Sequence, residues 1–416
     1  MINWIKDLFY ICRSITGPGL RATLSYFEKI NPEFRRLVFR TGKKVFDWKI
    51  PFEWSIKDAY IIHSSGKKFA DFSKNNLHIV NYSRPINKII SKKNLLKNIF
   101  TLPELPNSIP YVTSYYKKTW GFCISDNQKK KLPNGNYKVF IDSSFKKGFL
   151  ELSHALYKGF SEKEIFFSTY VCHPSMANNE LSGPAVMNSL MLFIKKNFKR
   201  TKYSYRFVML PETIGSISYL SKYYKYLKKN VIAGFNLSCL GDDRAYSYIS
   251  SPYQDTLADR ALLSALIGFK NVKKYSFLNR GSDERQYCSP GIELPVVGFC
   301  RSKYGSFKEY HTDKDNLNLV TQKGLEGSLE ILKNIIIAFE TELYPKSKFL
   351  CEPQLSRRGL KETLSNNKNS EDNLLRINII AYSNGINDVF KIATILNQNI
   401  KEISKQIQIL KKNEIL

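Results

Sequence analysis

The sequence predicts an α/β fold in which a doubly wound, mostly parallel sheet is joined to a β-rich insertion and a C-terminal helical unit. Three observations predict it. Apolar strands alternate with helical segments over residues 160–345, short aromatic runs fill residues 46–159, and three helical segments occupy residues 350–416. Residues 1–45, which are helical in pattern, are assigned to the α/β domain.

The length and composition suit a folded protein of two or three domains. The chain has 416 residues, 43% of them hydrophobic, which allows each domain its own core. No apolar run approaches the roughly 20 residues that a membrane helix needs, so we expect a cytoplasmic protein with no membrane contact. The seven cysteines are scattered and form no CxxC pair, which disfavours a disulfide framework and a thiolate zinc cluster.

The net charge of +28 raises the question of nucleic-acid binding. Lysines occur in short runs along the whole chain and are mixed with Asn and Ile, instead of forming one stripe. This distribution favours compositional bias and a solvated surface, and nucleic-acid binding remains the alternative.

The first two regions have different local patterns. Apolar residues at helical spacing, interrupted by the turn residues 17–19, predict two helices and a loop in residues 1–45. Between 46 and 159, β-branched and aromatic runs separated by Gly, Pro and Asn predict a β-rich module, and "PNGN" at 133–136 predicts a hairpin turn.

The α/β region combines four buried strands with helices at 183–198 and 217–229. The predicted strands are 163–171, 204–211, 230–238 and 294–300. Sites in such sheets form at the carboxyl ends of the strands. The polar residues that follow a strand or lie on a later loop are His173, Glu212, Asp242, Asp243, Asp283, Arg285 and His311.

The C-terminal segments have the lengths of a helix-turn-helix or winged-helix module. The expected recognition helix, 399–413, carries four lysines: Lys401, Lys405, Lys411 and Lys412. It is amphipathic and has no arginine for bidentate contact with guanine. This favours a packing or dimer-forming module, and hence a homo-oligomer, over DNA binding.

Several motifs in fixed order resemble those of a bacterial family of aminopeptidase-like proteins with an inserted β domain and a C-terminal winged helix. That family is distantly similar to the co-catalytic zinc aminopeptidases. The motifs are "CHPSMANNELSG", "LPETIGSISYL", "NLSCLGDD", "GSDERQY" and "YHTDKDN", together with "ICRSITGPGLRATL", "NNLHIVNYS" and "CEPQLSRRGL". The resemblance covers nearly the whole chain and implies a role in surface-polysaccharide metabolism.

Three positions match the zinc aminopeptidase pattern. The resemblance implies that His173 is the first metal ligand and His311 the last. Glu212 matches the general base, which takes a proton from the attacking water and passes it to the leaving amine.

Three other positions depart from that pattern, because Asn179 replaces the bridging Asp, Thr213 a ligand Glu, and Ser238 a ligand Asp. Two zinc ions need several carboxylates to offset four positive charges, so a dinuclear site is disfavoured. One divalent ion, zinc above all, needs fewer ligands. Glu180 is the nearest carboxylate to complete its shell, and Asn179 and Asp283 are in reserve. A metal-free degenerate pocket is the alternative.

Four further residues near these motifs are candidates for substrate binding: Asp242, Asp243, Arg285 and Tyr287. They could equally cap strands and pair with one another. Cys172 is expected to be a buried strand-end residue instead of a nucleophile.

These observations leave three functions open. The first is a metal-dependent amide or peptide hydrolase of aminopeptidase type, acting on a small aminoacyl, peptide or amino-sugar substrate. The second is a peptidase-derived binding protein without catalysis. The third is a DNA-binding regulator that contacts nucleic acid through the C-terminal unit and senses a ligand with its α/β domain.

Overall fold

The computed structural model describes residues 1–360 and 367–416. Its strands, β1 to β16 in chain order, are Arg35–Arg40, Lys44–Val45, Trp48–Lys49, Glu53–His63, Lys68–Asp71, Ile86–Ser91, Ile99–Phe100, Phe122–Cys123, Asn136–Lys146, Phe149–Tyr157, Glu164–Tyr170, Ser204–Leu210, Val231–Leu237, Tyr246–Ile249, Val272–Tyr275 and Val296–Cys300. Its helices, α1 to α12, are Ile2–Leu8, Pro18–Ile30, Lys92–Leu96, Asp126–Lys130, Ser182–Asn197, Ile214–Asn230, Leu257–Ala265, Glu284–Tyr287, Gln322–Thr341, Asn367–Tyr382, Val389–Ile395 and Ile400–Lys412.

An eight-stranded sheet forms the centre of the molecule, in the order β1-β10-β12-β11-β13-β16-β14-β15. The four predicted strands are its middle members and run parallel to one another. Antiparallel pairs join β1 and β10 to one side of them and β14 to the other, so the sheet is mixed in direction. Alternate residues serve two cores: Phe167 faces the core with α5, and Phe166 faces the core with α6. The α/β fold class is confirmed.

The turn between α1 and α2 has a strict requirement for glycine. Gly17 has φ of +95°, and Pro18 begins α2, where its missing N–H costs nothing. A Cβ on Gly19 would lie 1.9 Å from the carbonyl oxygen of Cys12. The chain therefore folds back tightly here and carries the residues around Cys12 under the end of the central sheet.

The insertion, residues 53–146, is built on a four-stranded antiparallel sheet in the order β5-β4-β9-β6 and has its own core. The predicted range of the insertion was 46–159. The structure differs at its end, because β10 (Phe149–Tyr157) pairs with β1 and β12 in the central sheet. The expected hairpin at "PNGN" is wrong. The segment before it is α4, so the turn connects a helix to β9.

The C-terminal unit packs directly on the α/β domain. The buried side chains of α10, α11 and α12 join the same core as α9, as shown by Ile379, Phe390, Ile403, Ile335 and Phe339. Within the range predicted for this unit, residues 361–366 lie outside the described residues. The unit is thus part of one continuous hydrophobic core.

Two features of composition have structural counterparts. All seven cysteines are free thiols, and five of them are buried. In residues 1–360 and 367–416, no helix combines the length and the apolar character that crossing a membrane requires.

Candidate active site

The loops that follow the middle strands bring His173, Glu212 and His311 together. The two imidazole rings lie 5.3 Å apart between centroids, at an angle of 40°. The Nε2 atom of His173 lies 3.8 Å from Oε2 of Glu212. These three residues are distant in sequence and meet because parallel strands end at the same edge of the sheet.

Glu180 lies on the far side of the His173 ring from Glu212. Its Oε2 is 2.8 Å from Nδ1 of His173, and Cys172 Sγ is 3.4 Å from the same nitrogen. Burial lowers the pKa of His173, but its interactions with Cys172 and Glu180 raise that pKa by a larger amount. The pKa of His173 therefore lies well above its ordinary value. A carboxylate on Nδ1 fixes the ring orientation and leaves Nε2 facing Glu212.

Arg13, which sequence analysis did not single out, completes this buried cluster. Its side chain is fully buried; Nε donates to the His173 carbonyl at 2.8 Å and lies 3.8 Å from Oε1 of Glu180. Asn81 of the insertion donates to the Arg13 carbonyl at 3.1 Å. Arg13 belongs to the quoted motif "ICRSITGPG", which was the one available indication of its importance.

His311 presents a free ring nitrogen inside the protein. Its Nε2 is buried without a hydrogen-bond partner among the described residues, while Tyr310 stacks on the ring at 3.9 Å between centroids. Burial, followed by the charge on His173, lowers the pKa of His311 to about 3. The ring is therefore neutral at physiological pH, with a lone pair available to a ligand.

The insertion forms the roof of this site. Tyr111 lies over both imidazoles, at ring distances of 5.1 Å from His173 and 5.2 Å from His311. Its backbone N–H donates to the His311 carbonyl at 2.8 Å, and Asp313 N–H donates to the Ile109 carbonyl at 3.0 Å. The insertion thus fixes the loop that carries His311.

Asn179 lies in a single π-helical turn, Ala177–Leu181. Its amide donates to the Tyr170 hydroxyl at 2.6 Å, and its Oδ1 is buried without a hydrogen-bond partner in the described part of the chain. Asp315, a second residue that sequence analysis did not single out, accepts the backbone N–H groups of Asn178 and Asn179 at 2.6 and 2.8 Å. One carboxylate therefore holds the turn in place.

Asp283 lies beside Glu212 and anchors the next loop. It accepts the Thr213 N–H at 2.8 Å and the Ser216 hydroxyl at 2.7 Å. Burial, together with the nearby Glu212, raises the pKa of Asp283 to about 7, and burial raises that of Glu212. Arg285 donates to Thr213 Oγ1 at 2.5 Å, so it braces this loop.

Two of the expected substrate-binding residues are occupied internally. Both carboxylate oxygens of Asp242 accept hydrogen bonds, from Asn178 at 3.0 Å and from Ser302 at 2.9 and 3.0 Å. The Tyr287 hydroxyl is fully buried and lies 2.7 Å from Ser168 Oγ. The Asp242 carboxylate and the Tyr287 hydroxyl are therefore hydrogen-bonded within the protein, and both side chains stabilise the fold instead of facing a substrate. Asp243 is exposed on a rim near Asp242.

Backbone strain is concentrated in the loops of the site. Ser175, Thr213, Cys239 and His311 all have positive φ, between +47° and +65°. Thr213 is β-branched, for which this conformation is a true outlier. Such strain occurs where the surrounding structure holds a functional geometry.

Part of the donor set suits a divalent ion. A metal site needs unpaired donors, and His311 Nε2 and Asn179 Oδ1 are buried donors without partners in the described chain. Among the described residues, Cys172, His173 and Glu180 form the group of His, Cys, Asp and Glu side chains whose ligand atoms all lie within 4.8 Å of one another, and His173, Glu212 and His311 do not form such a group. In the group with Cys172, however, the Arg13 cation already offsets Glu180, and burial raises the pKa of the Cys172 thiol to about 11.

The predicted recognition helix, α12, is an internal packing element. Its apolar face is buried in the shared core. Lys401 donates to Glu330 at 2.9 Å, Lys411 to Glu342 at 2.6 Å, and Lys405 lies 3.4 Å from Glu402. Lys412 is exposed.

Comparisons with known proteins agree with this architecture. A family model described as "Domain of unknown function (DUF4910)" matches residues 2–342, and a winged helix-turn-helix model matches residues 342–416. The chain is 38% identical to a Clostridium acetobutylicum protein named "Putative polysaccharide biosynthesis protein with aminopeptidase-like domain", over 100% of this chain and 95% of that one. A crystal structure of a "putative peptidase" from Clostridium acetobutylicum superposes with a TM-score of 0.91 at 38% identity, covering 100% of this chain and 94% of the other. A zinc aminopeptidase from Bacillus subtilis shares the fold, with a TM-score of 0.58 at 13% identity over 80% of this chain and 93% of its own.

Proposed function

Because the chain belongs to the DUF4910 family and carries a C-terminal winged helix-turn-helix domain, we propose that it is a metal-dependent amide hydrolase with an aminopeptidase-type site. Its substrate is a small aminoacyl or acylated amino-sugar compound of polysaccharide biosynthesis, the process named for the Clostridium relative. The observation that carries the proposal is the meeting of His173, Glu212 and His311 under Tyr111.

His173 and His311 would hold the ion, which would replace the proton that the raised pKa of His173 keeps on its ring. When bound, a divalent ion such as zinc would act as a Lewis acid on the attacking water and the scissile carbonyl. Glu180 acts behind His173 by fixing its ring through Nδ1, in place of the direct ligand role expected from sequence. Asn179, whose Oδ1 has no hydrogen-bond partner in the part of the chain that the structure describes, would be the reserve ligand.

Glu212 is the general base in this proposal. It is partly exposed and faces Nε2 of His173, which places its carboxylate where it can take a proton from water and return it to the leaving amine. Tyr111 covers the two imidazoles and limits the access of bulk water to the reaction. Asp283 holds the loop after Glu212 by binding Thr213 and Ser216.

Metal analysis by mass spectrometry tests this assignment. We expect about one ion per chain in the wild type, retained in Glu212→Gln and lost in His311→Ala. His63→Ala is the matched control, because His63 lies in the insertion and pairs with Ser65. Glu212→Gln should lower the rate of amide hydrolysis at least about 100-fold while the metal stays bound.

A binding protein without catalysis is the second candidate. It is favoured by the absence of carboxylates at Asn179, Thr213 and Ser238, which leaves few negative charges to hold metal. Wild-type protein that takes up no zinc, and that shows no hydrolysis, would favour this candidate. The internal pairing of Lys401 and Lys411 gives no support to a DNA-binding regulator.

A further inference from the structure

A cavity lies where the insertion meets the segment that follows β1. Its volume is about 780 Å³, within the range of pockets that bind small molecules. Its wall is formed by residues 41–42, 49–52, 82, 84–85, 115–118, 145 and 147. The cavity is distinct from the site of His173, and no motif of the sequence drew attention to it.

All the charged residues that line this cavity are basic. Its wall includes five basic side chains: Lys49, Arg84, Lys117, Lys118 and Lys147. No Asp or Glu is among the residues that line it, and none of the five forms an ion pair with a carboxylate in residues 1–360 and 367–416. Unpaired cations around a concave surface attract an anionic ligand.

Half of the other ten residues that line the cavity are aromatic: Phe52, Tyr82, Tyr115, Tyr116 and Phe145. Phe52 and Tyr116 are about half exposed, at 50% and 54%, although large apolar side chains are usually covered. Tyr82 packs edge-on against Tyr115 at 5.3 Å and Phe145 at 5.8 Å. Exposed aromatic surface of this kind marks a binding site for a ligand with a flat or apolar face.

We propose that this cavity binds an anionic saccharide, a sugar whose phosphate or carboxylate meets the basic rim and whose C–H face lies on Phe52 and Tyr116. Arginine and lysine recognise phosphate and carboxylate by charge and hydrogen bonding. The choice of a saccharide rests on the proposed function in polysaccharide biosynthesis. The limited volume favours a ligand of a few rings over a nucleic-acid strand.

A short chain of tyrosines connects the cavity to the candidate active site. The hydroxyl of Tyr115, in the cavity wall, lies 2.8 Å from that of Tyr111. Tyr111 in turn contacts His173 and His311. A saccharide in the cavity would therefore contact Tyr115, whose hydroxyl lies beside that of Tyr111 above the two imidazoles.

Tryptophan fluorescence titration of the full-length protein tests the proposal, since Trp48 packs on Tyr116 and Trp54 stacks on Tyr82 at the cavity wall. The probe is N-acetylglucosamine 1-phosphate. It is compared with neutral N-acetylglucosamine, inorganic phosphate and uridine monophosphate. We expect the sugar phosphate to bind at least about tenfold more tightly than the other three. If inorganic phosphate or uridine monophosphate binds as tightly as the sugar phosphate, the ligand is not recognised as a saccharide. If neutral N-acetylglucosamine binds as tightly as the sugar phosphate, the ligand is not recognised as an anion.

Paired charge variants locate the site. Lys117→Gln with Lys118→Gln should weaken binding of the sugar phosphate at least about tenfold. Lys88→Gln with Lys138→Gln removes the same charge from exposed positions of the insertion outside the cavity, and should leave affinity within about twofold. Equal weakening by both pairs would refute the cavity as the binding site.

Phe52→Ala gives a second variant that keeps every charge and should also weaken binding. All titrations use chelator-treated protein, so they involve no hydrolysis. Loss of saccharide binding with intact metal uptake would refute this inference alone, whereas absent metal with intact binding would refute the proposed hydrolase alone.

Discussion

The buried pair of Arg13 and Glu180 should be energetically coupled. The guanidinium Nε and the carboxylate Oε1 are 3.8 Å apart, and both side chains are fully buried. At that separation, an effective dielectric constant of about 20 gives an attraction of about 4 kcal/mol. Among the described residues, Glu180→Gln would leave Arg13 with the carbonyl oxygens of His173 and Leu8 as its hydrogen-bond acceptors, at 2.8 and 2.6 Å.

Urea unfolding of the two single variants and the double variant measures this coupling. Glu180→Gln removes the carboxylate beside the buried Arg13 cation, and Arg13→Met leaves Glu180 with His173 as its charged neighbour. We expect each variant to cost about 3–5 kcal/mol. The double variant should cost less than their sum by about 2–4 kcal/mol.

The exposed pair of Lys228 and Glu293 is the matched control. Its Nζ–Oε2 distance is 2.6 Å, but both side chains are nearly half exposed, so the same cycle there should give less than about 1 kcal/mol. A coupling at Arg13 and Glu180 no larger than at this surface pair would refute the view that the cluster behind His173 is held by charge.

Three further outcomes are expected. Gly19→Ala should lower the free energy of unfolding by more than about 3 kcal/mol in urea, because its Cβ would collide with the carbonyl of Cys12; a smaller loss would mean that the turn can shift. Burial, then nearby cations, lowers the pKa of His154 to about 4, so the unfolded chain binds the extra proton first as the pH falls. The stability advantage of wild type over His154→Gln should therefore shrink by about 1–2 kcal/mol between pH 7 and 4 in denaturation curves, and a constant difference would contradict this. Lys411→Ala breaks the ion pair with Glu342 and should lower the free energy of unfolding by up to about 1 kcal/mol. The variant should leave the fluorescence anisotropy of a labelled DNA duplex unchanged from that with wild type. Weaker DNA binding by the variant would implicate α12 in recognition.

The middle of the sheet could be predicted because each strand is buried on both faces and is therefore predominantly apolar. β11, β12, β13 and β16 were all placed within two residues of their observed bounds. β1 and β10 were missed as members of that sheet. They pair with each other across more than a hundred residues, and no local pattern reveals such a partner.

The candidate site shows the same limit. His173, Glu212 and His311 were identified through the order of motifs, and the structure brings them together. Arg13 and Tyr111 were not identified, because a buried arginine or a roof tyrosine looks like any surface residue until its neighbours are known. The spacing of residues along the chain does not show which ring nitrogen of His173 a carboxylate contacts. In the structure Glu180 contacts Nδ1, and Glu212 faces Nε2.

Backbone hydrogen bonds join the insertion to the loop that carries His311. Movement of the insertion away from the α/β domain would therefore expose the candidate active site at the same time. Across that seam, Tyr111 N–H donates to the His311 carbonyl at 2.8 Å, and Asp313 N–H donates to the Ile109 carbonyl at 3.0 Å. Any fluctuation that lifts the insertion must break these bonds and release the loop of His311 at the same time. In native-state hydrogen exchange, the amides of Tyr111 and Asp313 should therefore open with one shared free energy, as a single cooperative unit drawn from two parts of the chain.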